Sequence, residues 1–481
     1  MFAELFLELA HQKSRLPLKH DKTQIPIHFM KNKKSPLLFL VTLALSAPAA
    51  HAVHHWKGTS GSFWNSNVNW TTTDNTTNAA AKAGANDDVV FNRTGLNSSM
   101  NIPLGNAVGQ AARTIKFSSS GTTTISGTSS GTSNQTLTIG STGVAGSGGI
   151  TKDLGSGAAS FNGGSGLGVL TVSVGVSQTW TNNSVTALNL GTTFTSGTST
   201  AAVLGLGIRT LTLDGDGNFN FGAATTTNAV ITGSTGSLIK NGAGTVTIGG
   251  VNTYGGSTTI SGGKLTLAGT GSIANSPSII VGASTTFDVS GVTGGYTLGA
   301  SQTLSGSGSV TGAMTVSGTL SPGNSPGIMT TGSQTWANGA DYNFQMLDAT
   351  GTAGTGYDQI AITGTLNLSD LTAGGFGINI WSLSSTGPDV SGNALNFNNS
   401  IDQSWTILTT TEGITGFDAG DFLINLNAMN GTNGFSNALG GGVFSLSATP
   451  NNLILNYTAV PEPNAALLGS LSILALLRRR R

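Results

Sequence analysis

Residues 236–269 read GSLIKNGAGTVTIGGVNTYGGSTTISGGKLTLAG, and the fold turns on this stretch. In TVTI, Val246 and Ile248 fall on one side of an extended chain while Thr245 and Thr247 fall on the other. That is the period-2 pattern of a half-buried strand. Similar pieces stand at 238–240, 258–260 and 264–267, separated by Asn-Gly and Gly-Gly pairs. Each piece is too short to fold alone, but coiled into successive turns each would pair with the turn above and below. Asn241-Gly242 suits a turn with positive φ. Asn252 and Tyr254 fall where corners would be, placed to satisfy backbone groups by stacking. The alternative arrangement is a set of hairpins in a β-sandwich.

The rest of the chain repeats this texture. Of 481 residues, 71 are glycine and only 8% are charged, against about 25% in ordinary domains. Flexible low complexity is one reading of such a composition. Here, however, the glycines bracket short β-branched and aliphatic runs such as QTLTIG (135–140), GVLTVSVGV (168–176) and RTLTLDG (209–215). From about 331 the strands lengthen and aromatics increase, as in YNFQMLD (342–348), GINIWSL (377–383) and NNLILNYTAV (451–460). We read 53–330 as coiled short strands and 331–459 as a closing β region, either final coils or a small sandwich over the open end. A last coil needs such cover because its backbone is unpaired.

Several segments resemble the autotransporter-associated β-strand repeat. Its pattern of Lys-x-Gly-x-Gly-Thr, Asn-x-Tyr-x-Gly, Thr-x-Ile and Gly-x-Leu is met by Lys240, Gly242, Gly244, Thr245, Asn252, Tyr254, Gly256, Thr258, Ile260, Gly263 and Leu265. GGITKDLGSGAASFNGG (148–164) is a degraded second copy with one extra residue after its lysine. The segment 287–327 is similar to sequence that follows such repeats. WKGTSGSFWNSNVNW (56–70) with ANDDVVF (85–91) is similar to the N-terminal cap of the same family. The resemblance implies an all-β, right-handed parallel β-helix. The alternating strands of a membrane barrel are not evident toward the C-terminus, so self-export through such a barrel is not expected.

Both ends read as addresses. MKNKKSPLLFLVTLALSAPAAHA (30–52) has a lysine-rich start, an apolar core from Leu37 to Leu45 and a small-residue Ala-His-Ala end. This is a secretory signal, with cleavage by signal peptidase expected after Ala52; the alternative is a short membrane anchor. Residues 1–29 then stand as a mis-assigned extension, with Met30 the start. At the other end, Pro461-Glu462-Pro463 precedes an apolar run over 465–477 and four arginines, Arg478, Arg479, Arg480 and Arg481. A 13-residue helix reaches about 20 Å, short of the roughly 30 Å hydrocarbon core. The arginines would stay on the cytoplasmic side. This order over 460–481 resembles the PEP-CTERM sorting signal of Gram-negative bacteria. The resemblance implies a short apolar transmembrane helix that touches the membrane before processing, and transient recognition by an exosortase-type enzyme. An ordinary tail anchor is the alternative.

Chemistry is harder to find. The body, 53–460, carries nine basic and sixteen acidic residues, which opposes nucleic-acid binding. With no cysteine, disulfides and thiolate metal sites are excluded. All six histidines lie at or before position 55, so only His54 and His55 follow the cleavage point, at an end expected to fray. Glu412 is the one glutamate of the body, and a glycosidase needs two placed carboxylates. Asp87-Asp88 near Arg93 is the one acidic cluster with a basic neighbour, and it falls in the cap segment. DGDGNF (214–219) opens like a calcium loop but has Phe219 and Thr225 where glycine and glutamate belong. Trp56, Trp64, Trp70, Trp180, Trp336, Trp381 and Trp405 are of a kind that stacks on sugars, or packs core edges and caps. No catalytic residue, metal ligand or cofactor is assigned. The sequence supports an exported, surface-displayed structural or adhesive β-helix. Polysaccharide binding through tryptophans or asparagine rows, or a polysaccharide-degrading enzyme, are the alternatives.

Overall fold

Alternation along each strand sets the packing. In Thr245–Ile248, Val246 and Ile248 are fully buried while both threonines are half-buried. A strand with one dry face must lay it against another, and here the partners are further strands of the same chain. The computed structural model describes residues 51–72, 82–92, 99–105, 109–127, 134–140, 148–164, 168–191, 202–222, 230–323, 325–385, 389–428 and 432–460, with Ala475 and Arg478.

The first complete coil runs through Asp88–Phe91, Met100–Pro103 and Gly109–Ala112. The second repeats the order with Thr114–Phe117, Thr123–Ser126 and Gln135–Ile139. Pairing between coils is parallel and in register: Val89 pairs with Ile115, Ile115 with Ile150, Ile150 with Trp180 and Trp180 with Leu213. Two sheets, of 15 and 14 strands, line two sides of the column, and the third side carries two separate sheets of 5 strands each. The molecule is an all-β parallel β-helix. At about 4.8 Å between strands, the longer sheet extends roughly 65 Å. The core fills from all three sides with residues such as Leu137, Phe161, Leu204, Leu238 and Leu265, all at 0% exposure. Each contributes about 1.5–3 kcal/mol on burial.

The stretch that opened the reading folds as expected, with strands at Ser237–Lys240, Thr245–Ile248, Thr258–Ile260 and Lys264–Gly269. Gly242 takes φ +60° in the turn after Lys240. What the sequence did not announce is a gap on the third side. Its first sheet ends at Val230–Thr232 and its second begins at Tyr296–Leu298. Across the gap, side chains do part of the work of a strand. Asn252 Oδ1 accepts from the Ile231 N–H at 2.8 Å, and its Nδ2 donates to the carbonyls of Gly250 at 2.8 Å and Ser272 at 2.9 Å. One asparagine thereby ties three successive coils. Tyr254, 1% exposed, joins Thr258 Oγ1 at 2.7 Å, which in turn meets Ser276 Oγ at 2.9 Å.

Both repeat lysines point inward. Lys152 and Lys240 are 0% and 1% exposed and sit in core columns, Lys152 between Phe117 and Asn182, Lys240 between Leu213 and Ile260. Their ammonium groups curl under the corner between the first and second sheets. Lys152 Nζ donates to the Thr186 carbonyl at 2.9 Å, to Thr186 Oγ1 at 2.5 Å and to the Ser156 carbonyl at 3.3 Å. Lys240 Nζ donates to the carbonyls of Asn241, Gly242 (2.9 Å) and Gly262 (3.1 Å). Each lysine thus holds the carbonyls of a tight turn, as a structural cation. Burial lowers both pKa values to about 8, with Asp214 opposing the shift at Lys240.

Both ends are closed. Trp56 and Trp64 each pack edge-on to Trp70 with centroids 4.9 Å apart, and Trp70 Nε1 donates to the Trp64 carbonyl at 2.7 Å. The same segment covers the outer edge of the second sheet, where Gly61 N–H reaches the Asn101 carbonyl and Trp64 N–H the Pro103 carbonyl. His54 and His55 are not frayed. They belong to Val53–Trp56, paired in parallel with Asp88–Phe91. His54 is 5% exposed, with Nε2 3.4 Å from Asp87. Toward the C-terminus the closing region consists of further coils, and pairing crosses residue 330 unbroken through Ile328–Thr331 and Gln359–Ile362. An antiparallel hairpin, Val443–Ala448 and Asn452–Thr458, then finishes the second sheet against Gln403–Thr410.

The signal over 30–52 falls outside the described residues up to Ala50, as do residues 1–29, Pro461, Glu462, Pro463, Arg479, Arg480 and Arg481. Of the apolar tail only Ala475 and Arg478 are described, both in helical conformation. No helix among the described residues is long and apolar enough to cross a membrane.

Two measurements check this account. Asn252→Ala leaves the Ile231 N–H without its acceptor. It is expected to cost about 1–3 kcal/mol in urea unfolding and to speed exchange of that amide. The lysines give a pH signature. Between about 8 and 10.5 the unfolded chain holds more lysine protons than the native one, so stability rises with pH. Tyr254 and Tyr296, whose pKa values burial raises, act oppositely above pH 10. The urea midpoint should therefore climb from pH 8 to 10, by at most about 2 kcal/mol per lysine, then fall. The climb should vanish in the Lys152→Met/Lys240→Met variant.

Candidate functional site

With the inward positions committed to the core, any function must be carried by outward residues, turns and ends. Outward rows are polar and continue from coil to coil. On the second sheet Ser160, Asn189, Asn220 and Thr247 pair in sequence, and Asn220 Nδ2 donates to Asn189 Oδ1 at 2.9 Å. On the first sheet Asn425 Nδ2 donates to Asn379 Oδ1 at 2.7 Å, and Asn379 Nδ2 to Asn343 Oδ1 at 2.9 Å. These asparagine rows spend much of their hydrogen-bonding capacity on one another.

One concavity interrupts the outward surface of the first sheet. It has a volume of about 690 Å³ and runs across the coils from Ser278 to Trp381. Its floor is a row in register, Ile280 paired to Ser305 and Ser305 to Ser321, so one apolar side chain is followed by two hydroxyls. At one end Gln345 and Trp381 pair on adjacent strands, and Gln345 Nε2 donates to Asp389 Oδ1 at 2.8 Å. The Asp389 N–H donates to Ser325 Oγ at 2.6 Å. Asp389 and Ser325 both adopt positive φ, +53° and +69°, so two residues that do not favour this conformation are held in it side by side. Beneath them lies Asp358, fully buried, whose two oxygens accept from the N–H groups of Gly327 at 2.7 Å and Gln345 at 2.9 Å. Burial, with the charge of Asp389 added, raises its pKa well above the usual carboxylate range. Its role is to fix the backbone under this end of the groove.

The tryptophans divide cleanly. Trp56, Trp64, Trp70, Trp180, Trp336 and Trp405 are at most 2% exposed and belong to the core, Trp336 lying flat on Phe376 at 4.0 Å. Trp381 stands outside that core and lines the groove; it is 8% exposed, and its Nε1–H, like those of Trp56 and Trp64, has no partner among the described residues. The acidic motifs make contacts within the fold. Asp87 accepts from the Gly84 N–H at 2.9 Å, and Asp88 accepts from Thr114 Oγ1 at 2.5 Å and from Arg113. Arg93 lies outside the described residues. In DGDGNF, Asp214 Oδ1 accepts from the Gly215 N–H at 2.8 Å, and Asn218 Oδ1 from the Thr245 N–H of the next coil at 2.9 Å.

Sequence reasoning missed Arg113, Asp358, Gln345 and Asp389. Arg113 meets Asp88 one coil away, 25 residues along the chain, and coil length was the one signal that could have paired them. The groove residues lie in ordinary alternating strands and a loop, and only the register places them together.

No curated protein matches the chain in sequence. Residues 238–267 match the family described as the passenger-associated transport repeat. The matched residues include Asn252, which bridges coils across the gap on the third side, and Lys240, which holds the corner between the first and second sheets, so the chain carries a segment that matches this repeat within a parallel β-helix.

Proposed function

We propose that the protein is an exported structural and adhesive β-helix, non-catalytic, delivered to the outer surface or extracellular matrix of a Gram-negative bacterium by its C-terminal sorting signal. The observation that carries the reading is the unbroken column itself. Pairing continues from Val53 opposite Asp88 to Phe422–Asn425, so one chain builds a stiff element about 65 Å long. The passenger-type repeat within it supports an exported role. Val53, the residue after the expected cleavage point at Ala52, is also the first described residue to enter a sheet. Removal of 1–52 would spare the pairing of Val53–Trp56 and release one backbone hydrogen bond, from the Asp88 N–H to the Ala52 carbonyl. At the other end, the last described strand finishes at Thr458, three residues before Pro461-Glu462-Pro463. A processing enzyme of exosortase type would then meet its motif just beyond the folded body, with the apolar run and Arg478 to Arg481 engaged by the membrane.

A second reading, an extracellular polysaccharide-binding protein, is favoured by the groove that Trp381 lines. Among the groove-lining residues Asp389 is the one carboxylate, whereas glycoside hydrolysis uses a pair. Retention therefore fits the site better than degradation.

Mass spectrometry of surface-extracted protein tests the delivery route. The expected N-terminus is Val53, and the expected C-terminus lies upstream of the arginines. Intact Arg481 on surface material overturns the proposal. The Pro461→Ala/Pro463→Ala variant should retain its tail and shift to the membrane fraction.

A further inference from the structure

We infer that the groove on the first sheet binds a strand of uncharged polysaccharide, laid along the axis of the column. This deepens the adhesive reading above and rests on it.

Three observations converge on the ligand class. First, the floor offers hydroxyls that the protein does not use. The side chains of Ser278, Thr303, Ser305 and Ser321 line the groove, are half-buried and make no hydrogen bond among the described residues. They stand in two pairs, Ser278 opposite Thr303 and Ser305 opposite Ser321, each at the spacing of adjacent strands, about 4.8 Å, which is close to the advance of one pyranose in an extended chain. Two successive sugars can therefore each meet a hydroxyl. Second, the end wall supplies an indole. Trp381 lines the cavity with a buried Nε1–H that has no acceptor among the described residues. A buried donor without a partner is costly, and a ligand oxygen would relieve it. Aromatic rings with a polar tip suit surfaces that are apolar on one face and hydroxylated at the edge, as a pyranose is. Third, charge selects against the alternatives. No lysine or arginine lines the groove, and Asp389 is its one charged side chain. A uronate or sulfated chain would bring anions to a carboxylate with no cation to receive them. Gln345, held by Asp389, lies beside Trp381 to orient a hydroxyl.

The site is also preorganised. Asp358 pins the backbone of Gly327 and Gln345 from below, and Ser325 pins Asp389 from the side. The wall is therefore set before a ligand arrives, which lowers the ordering cost of binding.

The test uses the full exported protein in affinity electrophoresis through gels containing hydroxyethyl cellulose, galactomannan or polygalacturonate. Retardation is expected in at least one neutral polymer and not in polygalacturonate. Ser321→Arg fills the floor from an outward position and should weaken binding at least tenfold, as should Trp381→Ala. Thr247→Arg, outward on the second sheet, should bind as the parent does, and circular dichroism of all variants reports the fold. Absence of retardation in both neutral polymers, equal binding by Ser321→Arg, or tighter binding to polygalacturonate overturns the inference. Surface labelling of intact cells separates the two claims. A chain that reaches the surface and binds neither neutral polymer sinks the groove assignment alone, whereas a chain that never reaches the surface sinks the delivery reading.

Discussion

The constraint on which everything else depends is in-register parallel pairing of each coil with the next. A parallel strand cannot slip by one residue without turning its apolar side chains outward, so every coil must present the same alternation as its neighbour. The columns Val89–Ile115–Ile150–Trp180–Leu213 and Ile280–Ser305–Ser321 are two faces of this one requirement. The first fills the core and the second makes a floor. With no sulfur bridges and few ions, the column relies on backbone pairing and dry packing.

Where backbone pairing lapses, polar side chains take over. Asn252 replaces a missing third-side strand by reaching one coil back and one coil forward. Lys240 and Lys152 gather the carbonyls of tight corners. A buried ammonium is costly to desolvate, and three oxygen contacts apiece, three carbonyls at Lys240 and two carbonyls with a hydroxyl at Lys152, offset that cost. The repeat motif is thus a prescription for a corner and a gap, with its glycines admitting the backbone. At Gly244 a Cβ would lie 2.2 Å from the Gly217 carbonyl oxygen of the coil before.

Much of the fold was legible because its information is local. Alternation and turn residues placed the four strands of 236–269 to within a residue or two. The cap was legible through its three tryptophans, which now form one cluster. The gap on the third side was not, since nothing in VNTYGG says which coil supplies its partners. The frayed end expected at His54-His55 was wrong because Val53–Trp56 pairs on one side with Trp70–Thr71 and on the other with a strand 35 residues onward, Asp88–Phe91. The groove stayed hidden for a related reason. Ser305, Ser321 and Gln345 each look like ordinary outward positions, and only the stacking of coils of unequal length brings them under one indole. Trp381 could not be separated from the other six by composition; its register opposite Gln345, on the outer face, is what distinguishes it.

The divided third side has a mechanical consequence. Above and below the repeat, all three walls are ladders of strands; between Val230–Thr232 and Tyr296–Leu298 the third wall among the described residues is held by scattered backbone contacts, such as Val251 opposite Ser272 and the Thr253 N–H on the Ile231 carbonyl. A load pulling on one end of such a column would unzip coils in sequence and meet a change of resistance at this waist.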